Sequence, residues 1–256
     1  MIELTQTKKK QAWKTQREAF QDSLKYMQGR MKGEIHSFKT PWPKVNDATT
    51  DGFEWHSTTV IGGRPGSGKT LIKDQIVREG FKLNPGENFR VLEFQFEMLG
   101  RTSAIREYSS VVGRTYKYLC SAESKISDED LQKCYDYAKE RVKYPIDVVE
   151  DPCTVPDFKK IIIEYMEDHS MMEGDIKIYK KTIVTLDHSL LLKRDKAGGE
   201  RDKSDTIYSL GEAVTELKRM YPIHFIILSQ LNRGIDSPER NEDGKYGNYI
   251  LESDIF

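Results

Sequence analysis

The feature that most constrains this chain is a glycine-rich segment, GRPGSGKT, at residues 63–70. It fits the spacing G-x-x-x-x-G-K-[ST] and lies between a predicted strand that starts at Thr58 and a predicted helix. Glycines in such a turn let successive backbone N–H groups point inward around phosphate oxygens, and the following helix adds the positive end of its dipole. A chance glycine turn is the alternative, and the flanking strand and helix argue against it. The segment therefore predicts a strand–loop–helix unit that binds phosphate.

Every residue of this loop is a candidate for binding a nucleotide. The candidates are Gly63, Arg64, Pro65, Gly66, Ser67, Gly68, Lys69 and Thr70. The Lys69 ammonium group would reach the β- and γ-phosphates, and the Thr70 hydroxyl would bind a magnesium ion. ATP and Mg²⁺ are therefore the predicted cofactors.

Strand and helix patterns alternate after the loop. Apolar runs predict strands at 90–96, 146–149, 182–186 and 223–230. Helical patterns occupy parts of 101–142, with Ser127 at the start of one helix, and the stretches 155–166 and 204–220. Strands that alternate with helices predict an α/β fold with a mostly parallel sheet and helices on both faces.

Polar side chains follow three of the predicted strands. Asp187 can hold the coordination shell of Mg²⁺, although a strand-terminal Asp that caps the next turn is the alternative. Glu97 can polarise an attacking water, or it is simply an exposed residue at a strand end. Gln230 can contact the γ-phosphate or cap the last strand. We interpret His188 and Ser189 as turn residues.

The first fifty residues differ from the rest of the chain in charge. They contain ten Lys and Arg but five Asp and Glu, whereas the whole chain has 40 and 41. This basic arm indicates an acidic partner. Four apolar side chains lie at helical spacing between about residues 11 and 30, which predicts an amphipathic helix: Trp13, Phe20, Leu24 and Met27. The Pro-Trp-Pro cluster at 41–43 predicts an extended linker.

Composition argues against several classes of protein. No apolar stretch approaches the roughly 18 residues of a membrane helix, and the chain starts with MIELTQTKKK rather than an apolar signal core. We therefore expect a cytoplasmic protein without a membrane span. The three cysteines lack a CxxC pair and are predicted to be small buried hydrophobic residues of a reducing compartment: Cys120, Cys134 and Cys153.

Four motifs together resemble the ATPase core of DnaB-type replicative DNA helicases. They are the glycine loop, FQFEM at 94–98, LDHSLLL at 186–192 and ILSQLNR at 227–233. The resemblance covers about 37–256 and implies a RecA-like P-loop NTPase core, preceded by a linker helix in 1–36. It implies that Glu97 is the catalytic base, Asp187 the Walker B acid and Gln230 a sensor that couples the γ-phosphate to DNA-binding loops. Arg106 matches an arginine of the helix after the glutamate motif, with a surface salt bridge as the alternative.

The resemblance also implies two DNA-facing loops, 193–205 and 232–248. The candidate phosphate contacts are Lys193, Arg194, Lys196, Arg201, Lys203 and Arg233. A solvated run of charges is the alternative interpretation. No residue of 1–256 can be assigned as the family's arginine finger, so we expect either that the sequence is a fragment of a longer core or that it is a divergent chain whose finger comes from elsewhere.

The function implied is that of a hexameric, ATP-driven motor that moves 5′ to 3′ on single-stranded DNA and unwinds the duplex. It would be of phage type, because a large helical N-terminal domain is not seen, and a primase or a helicase loader would be its partner. The N-terminal helix would dock on a neighbouring subunit, with a groove of its own domain as the alternative. Two other functions stay open: a RecA- or KaiC-like ATPase of recombination or signalling, and a non-unwinding accessory protein switched by nucleotide.

Overall fold

A computed structural model describes residues 13–231. They fall into two compact units, with the boundary between Ser37 and Phe38. The first unit contains helix α1 (Gln16–Met31), which begins with a capping box: the Glu18 N–H donates to the Thr15 hydroxyl, and the Thr15 N–H donates to the Glu18 carboxylate. The predicted N-terminal helix is confirmed, with its first helical residue at Gln16.

The second unit carries the remaining elements. Its strands are β1 (Ser57–Gly63), β2 (Phe89–Gln95), β3 (Ile146–Val149), β4 (Met171–Glu173), β5 (Ile176–Ile178), β6 (Lys181–Asp187) and β7 (Ile223–Gln230). Its helices are α2 (Pro43–Ala48), α3 (Lys69–Leu83), α4 (Gly100–Val112), α5 (Tyr116–Cys120), α6 (Asp128–Arg141), α7 (Val155–Asp168) and α8 (Lys203–Met220), with a 3₁₀ turn at Ser189–Leu191.

Five of these strands form one parallel sheet in the order β1-β7-β6-β2-β3. Helices cover both of its faces, as predicted. Alternate side chains of β2, β6 and β7, such as Phe94 and Phe225, pack with Phe158 of α7 and Leu217 of α8 in one apolar cluster. The other set faces α3 and forms a second cluster around Ile76. Because successive side chains of a strand point to opposite faces of the sheet, the sheet has one face that packs against α7 and α8 (the α7/α8 face) and one that packs against α3 (the α3 face).

Several helix starts follow the predicted caps. The Thr154 and Ser127 hydroxyls each accept a hydrogen bond from a backbone N–H of the first turn of α7 and α6. None of the helices in 13–231 is both long and apolar enough to cross a membrane.

Two expectations need correction, and one element was missed. The 41–51 segment is not simply an extended linker: it contains α2, and a bridge pairs Phe38 with Phe53 so that both rings are buried in the core. The hairpin β4–β5 was not predicted, because its apolar side chains are exposed and give no burial pattern. Among the cysteines only Cys134 is buried, whereas Cys153 is half-buried and Cys120 is exposed at the end of the short helix α5.

Candidate nucleotide site

The loop at 63–70 connects β1 to α3 and depends on its glycines. Gly66 and Gly68 have φ angles of 72° and 89°, in the left-handed region that glycine adopts without steric cost. At Gly63 a Cβ atom would lie 2.4 Å from the Ser67 Oγ. The backbone path of this loop is therefore available only to glycine-rich sequences.

The loop ends at the positive end of the α3 dipole. Helix α3 starts at Lys69, so the N–H groups of its first turn face the loop. The Lys69 Nζ donates to the carbonyl oxygens of Gly63 at 2.8 Å and of Arg64 at 3.0 Å, and the ammonium thus lies across the loop. Thr70 is half-buried in the same turn. This arrangement of N–H dipoles and a cation suits an anion of phosphate type.

The predicted polar residues meet at one edge of the sheet. Gly63 is the register partner of Gln230, and Gln95 is the partner of Asp187. The Leu231 N–H donates to the Gly63 carbonyl at 3.2 Å, which ties the end of β7 to the loop. Because the strands are parallel, their carboxyl ends form a single edge, where open α/β sheets bind ligands.

Asp187 and Glu97 both lie at this edge, at the ends of neighbouring strands. Asp187 is 4% exposed and alternates with Ile183 on the α3 face, whereas Glu97 is exposed two residues beyond β2. Burial lowers the pKa of the His188 imidazole, although the carboxylates of Glu97 and Asp187 act in the opposite direction. Both carboxylates therefore lie within electrostatic reach of one ring. His188 and Ser189 occupy the turn that sequence predicted for them.

A buried polar cluster beside this site was missed by the sequence analysis. The Lys73 Nζ on α3 contacts the Glu93 carboxylate at 3.0 Å and the Asp74 carboxylate at 2.8 Å. Lys73 is 1% exposed, and Glu93 is 6% exposed within β2. Burial alone lowers the pKa of Lys73, but the neighbouring carboxylates outweigh it and raise the pKa above its usual range. The signal in the sequence was Glu93, a charge between the apolar residues Leu92 and Phe94.

The basic segment 193–205 leaves the same edge of the sheet after the 3₁₀ turn. All five of its candidate phosphate contacts are exposed: Lys193, Arg194, Lys196, Arg201 and Lys203. Three of them also form bonds within or next to this segment: Arg194 donates to the Arg201 carbonyl at 2.7 Å, Arg201 donates to the Asp205 carboxylate at 3.4 Å, and Lys203 donates to the Leu192 carbonyl. Arg106 is exposed on α4. Arg233 and the 232–248 loop lie outside the described residues.

The parallel sheet, the loop between β1 and α3 and the polar carboxyl edge define a RecA-type P-loop fold, a class of nucleotide-binding proteins. The sequence profile of the DnaB-like helicase C-terminal domain matches residues 39–243, which is most of the chain. The chain therefore belongs to the DnaB-like helicase C-terminal domain family. The expected family and RecA-like fold are confirmed.

Solved structures of low identity share this fold. A DnaB-like replicative helicase, described with its interactions with primase, matches with a TM-score of 0.70 and 16% identity over 92% of this chain and 52% of that one. The ATPase domain of another helicase matches with a TM-score of 0.71 and 17% identity over 92% of this chain and 77% of that one. The present chain thus spans about half the length of the first. Comparison with curated protein sequences finds no significant match.

Proposed function

We propose that this chain is the ATP-hydrolysing motor of a replicative DNA helicase, translocating 5′ to 3′ on single-stranded DNA in a phage or bacterial cytoplasm. The observation that carries the proposal is the sheet edge at which the phosphate loop, Asp187, Gln230 and the segment bearing Glu97 come together. Family membership supports the same assignment.

The binding roles follow from the chemistry of each side chain. The loop N–H groups and the Lys69 ammonium hold the β- and γ-phosphates of ATP, in the cradle that the glycines leave open. The Thr70 hydroxyl and the Asp187 carboxylate are oxygen donors of the kind Mg²⁺ selects; Thr70 follows the loop in α3, and Asp187 ends β6, two strands from β1 at the same edge of the sheet. Bound Mg²⁺ would neutralise charge on the phosphate oxygens.

Glu97 is the proposed general base. Its carboxylate is exposed at the end of β2, on the edge where the γ-phosphate would lie, and it can accept a proton from the water that attacks the phosphorus. Gln230 is the proposed sensor of the γ-phosphate, and its position at the end of the strand next to β1, in register with Gly63, supports this role. Since β7 leads into the 232–248 segment, a contact between Gln230 and the γ-phosphate would couple the bound nucleotide to the proposed DNA-binding segment.

The 193–205 segment supplies the proposed DNA contact. Its exposed cations suit the backbone of single-stranded DNA, and each true phosphate contact lowers the salt slope of binding by about 0.7 when it is neutralised. Replacing its five Lys and Arg by Gln should therefore flatten the dependence of binding on salt. An unchanged slope would remove this segment from the interface.

Helix α1 is the proposed contact between subunits of a homo-hexamer. Three apolar side chains of the helix and one that precedes it are between 57% and 69% exposed: Phe20, Leu24 and Met27 within α1, and Trp13 before its cap. An isolated helix cannot bury such an apolar stripe and therefore gains little stability from it. A neighbouring subunit could bury the stripe. Sedimentation with ATP should show weaker assembly after deletion of residues 1–32, and an undiminished hexamer would contradict the docking role. A primase or a helicase loader is the proposed further partner.

The test of the function is ATP turnover with and without single-stranded DNA. A helicase motor should hydrolyse ATP faster when DNA is present and should displace a strand from a forked duplex. Turnover without a DNA response would favour a RecA- or KaiC-like ATPase of another purpose, and nucleotide binding without turnover would favour an accessory switch.

A further inference from the structure

The buried cation of α3 has no part in the binding roles proposed above. Lys73 is enclosed almost completely, and its ammonium group forms ion pairs with Glu93 and Asp74. Its bond to Glu93 is buried at both ends, so neither partner is exchanged for water. A lysine is rarely found fully buried unless it is paired.

The location of the pair links the two halves of the proposed site. Lys73 follows Lys69 by four residues, so it lies one helical turn below the phosphate loop on the same helix. Glu93 lies on β2 four residues before Glu97. The pair is thus a direct bond between the helix that begins at the phosphate loop and the strand that leads to the proposed base.

The side chains around the pair belong to the edge of the site. Glu93 is the register partner of Thr185, and Gln95 is the partner of Asp187, all on the α3 face of the sheet. The Asp187 carboxylate is close enough to raise the pKa of Lys73 as well. The buried Gln95 Oε1 and Thr185 Oγ1 atoms have no hydrogen-bond partner. Among these polar side chains, Lys73 and its two carboxylate partners therefore form the main bonds that fix the position of the charges.

Stability alone does not account for the pair. A buried ion pair loses so much hydration that an apolar pair of similar size is often equally stable or more so. The next inward positions on α3, Ile76 and Val77, are apolar and pack in the core around them. An apolar residue is thus compatible with this side of the helix. The contribution of the ion pair is therefore the fixed arrangement of α3 and β2 that it imposes, rather than stability.

We propose that Lys73 is a positioning residue for ATP hydrolysis: held by Glu93, it joins the phosphate-loop helix to β2 and so places Glu97 against the γ-phosphate. This inference rests on the proposed function. Lys73 itself touches no nucleotide, and it acts on the rate of the chemical step rather than on nucleotide affinity.

The experiment compares the apolar double variant Lys73→Met/Glu93→Leu with the single variant Lys73→Met. The double variant leaves no buried charge of this pair unpaired and should fold even if the single variant does not. A matched control is Arg90→Met/Asp147→Leu, which removes a 2.9 Å ion pair at the opposite end of β2. The full chain is used for unfolding, ATP turnover and amide hydrogen exchange.

The double variant should retain its folded state but lose about tenfold in kcat, with the KM for ATP within about twofold of the original. Amides of 95–99 should exchange about tenfold faster, whereas those of β7 should not change. The control should lower stability without changing kcat or exchange at 95–99. A purely structural role of Lys73 predicts the same kcat in both double variants.

A double variant that is folded and has unchanged kcat and unchanged exchange at 95–99 would overturn the proposal. If the original chain does not hydrolyse ATP at all, the proposed function fails instead. The exchange at 95–99 then decides separately whether the Lys73–Glu93 bond holds the end of β2, because that measurement needs no turnover.

Discussion

The two faces of the sheet carry different kinds of side chain. On the α7/α8 face, Phe94, Leu186, Phe225 and Ile227 contribute to one continuous apolar cluster with Phe158 of α7. On the α3 face, Val91 of β2, Ile183 of β6 and Ile226 of β7 are apolar, but β2 and β6 become polar toward their carboxyl ends. Near the carboxyl edge, β2 presents Glu93 and Gln95, and β6 presents Thr185 and Asp187.

This difference separates folding from chemistry within one sheet. The α7/α8 face buries large apolar side chains and contributes most directly to the free energy of unfolding. In the polar half of the α3 face, which lies on the side of the phosphate loop, burial removes polar groups from water at a cost in free energy and does not improve packing. Substitutions on the first face should therefore change stability, and those around the second should change nucleotide chemistry.

The largest effect is expected at the base. Glu97→Gln should lower kcat about 10²- to 10⁴-fold, because the amide cannot accept the proton of the attacking water. Stability and ATP binding should change little, since the side chain is exposed. Steady-state turnover and ATP binding measured on the same preparation check this, with Glu164→Gln on the exposed surface of α7 as the control. Full activity of Glu97→Gln would show that another group is the base.

On the apolar face, Phe158→Ala should lower the free energy of unfolding by about 3–5 kcal/mol through lost burial and a cavity. Phe158 is 0% exposed and its ring centroid lies 4.6 Å from that of Phe94. The folded fraction should retain its kcat, and denaturant titration gives the stability. Tyr208→Ala, at a site that is 71% exposed, should cost less than about 0.5 kcal/mol. A loss of kcat in folded Phe158→Ala would contradict the prediction that the α7/α8 face affects stability but not nucleotide chemistry.

The α3 face also contains a buried histidine at the end of the sheet away from the site. Burial lowers the pKa of His224 to about 4, while its Nδ1 is 2.9 Å from the Glu54 carbonyl oxygen. The unfolded chain binds a proton near pH 6.5 and the folded chain does not, so stability is present above that pH and is lost as the pH falls toward 4.

The loss attributable to His224 should reach about 3 kcal/mol. Denaturant titrations between pH 7 and pH 4 measure it. His224→Gln should flatten the profile in that window. A profile equally steep in His224→Gln would assign the acid sensitivity to other groups.

Much of the fold could be predicted because its signals are local. The strands β3 and β6 are apolar runs between polar turns, and Thr154 caps α7 through a side chain three residues from its partner. The loop at 63–70 was also predictable, since its spacing and flanking elements are contiguous in the sequence.

The features that were missed depend on contacts distant in sequence or on weak signals. Lys73 and Glu93 are 20 residues apart and pair only when α3 packs on β2. The exposed hairpin at 171–178 lacks a buried face and therefore has no alternation to detect. Helix α2 has only six residues, too few for a helical period. The roles of Glu97, Asp187 and Gln230 stay predictions until turnover is measured.

The central claim is that the phosphate loop on the α3 side binds ATP through Lys69. Calorimetric titration of the full chain with ATP and Mg²⁺ tests it directly, with Lys69→Ala compared against Lys82→Ala, an exposed lysine at the far end of the same helix. The account predicts saturable binding to the original chain and to Lys82→Ala, and an affinity lower by about 100-fold, or about 2.7 kcal/mol, for Lys69→Ala. Equal affinity of Lys69→Ala and the original chain would contradict the assignment of this loop as the nucleotide site.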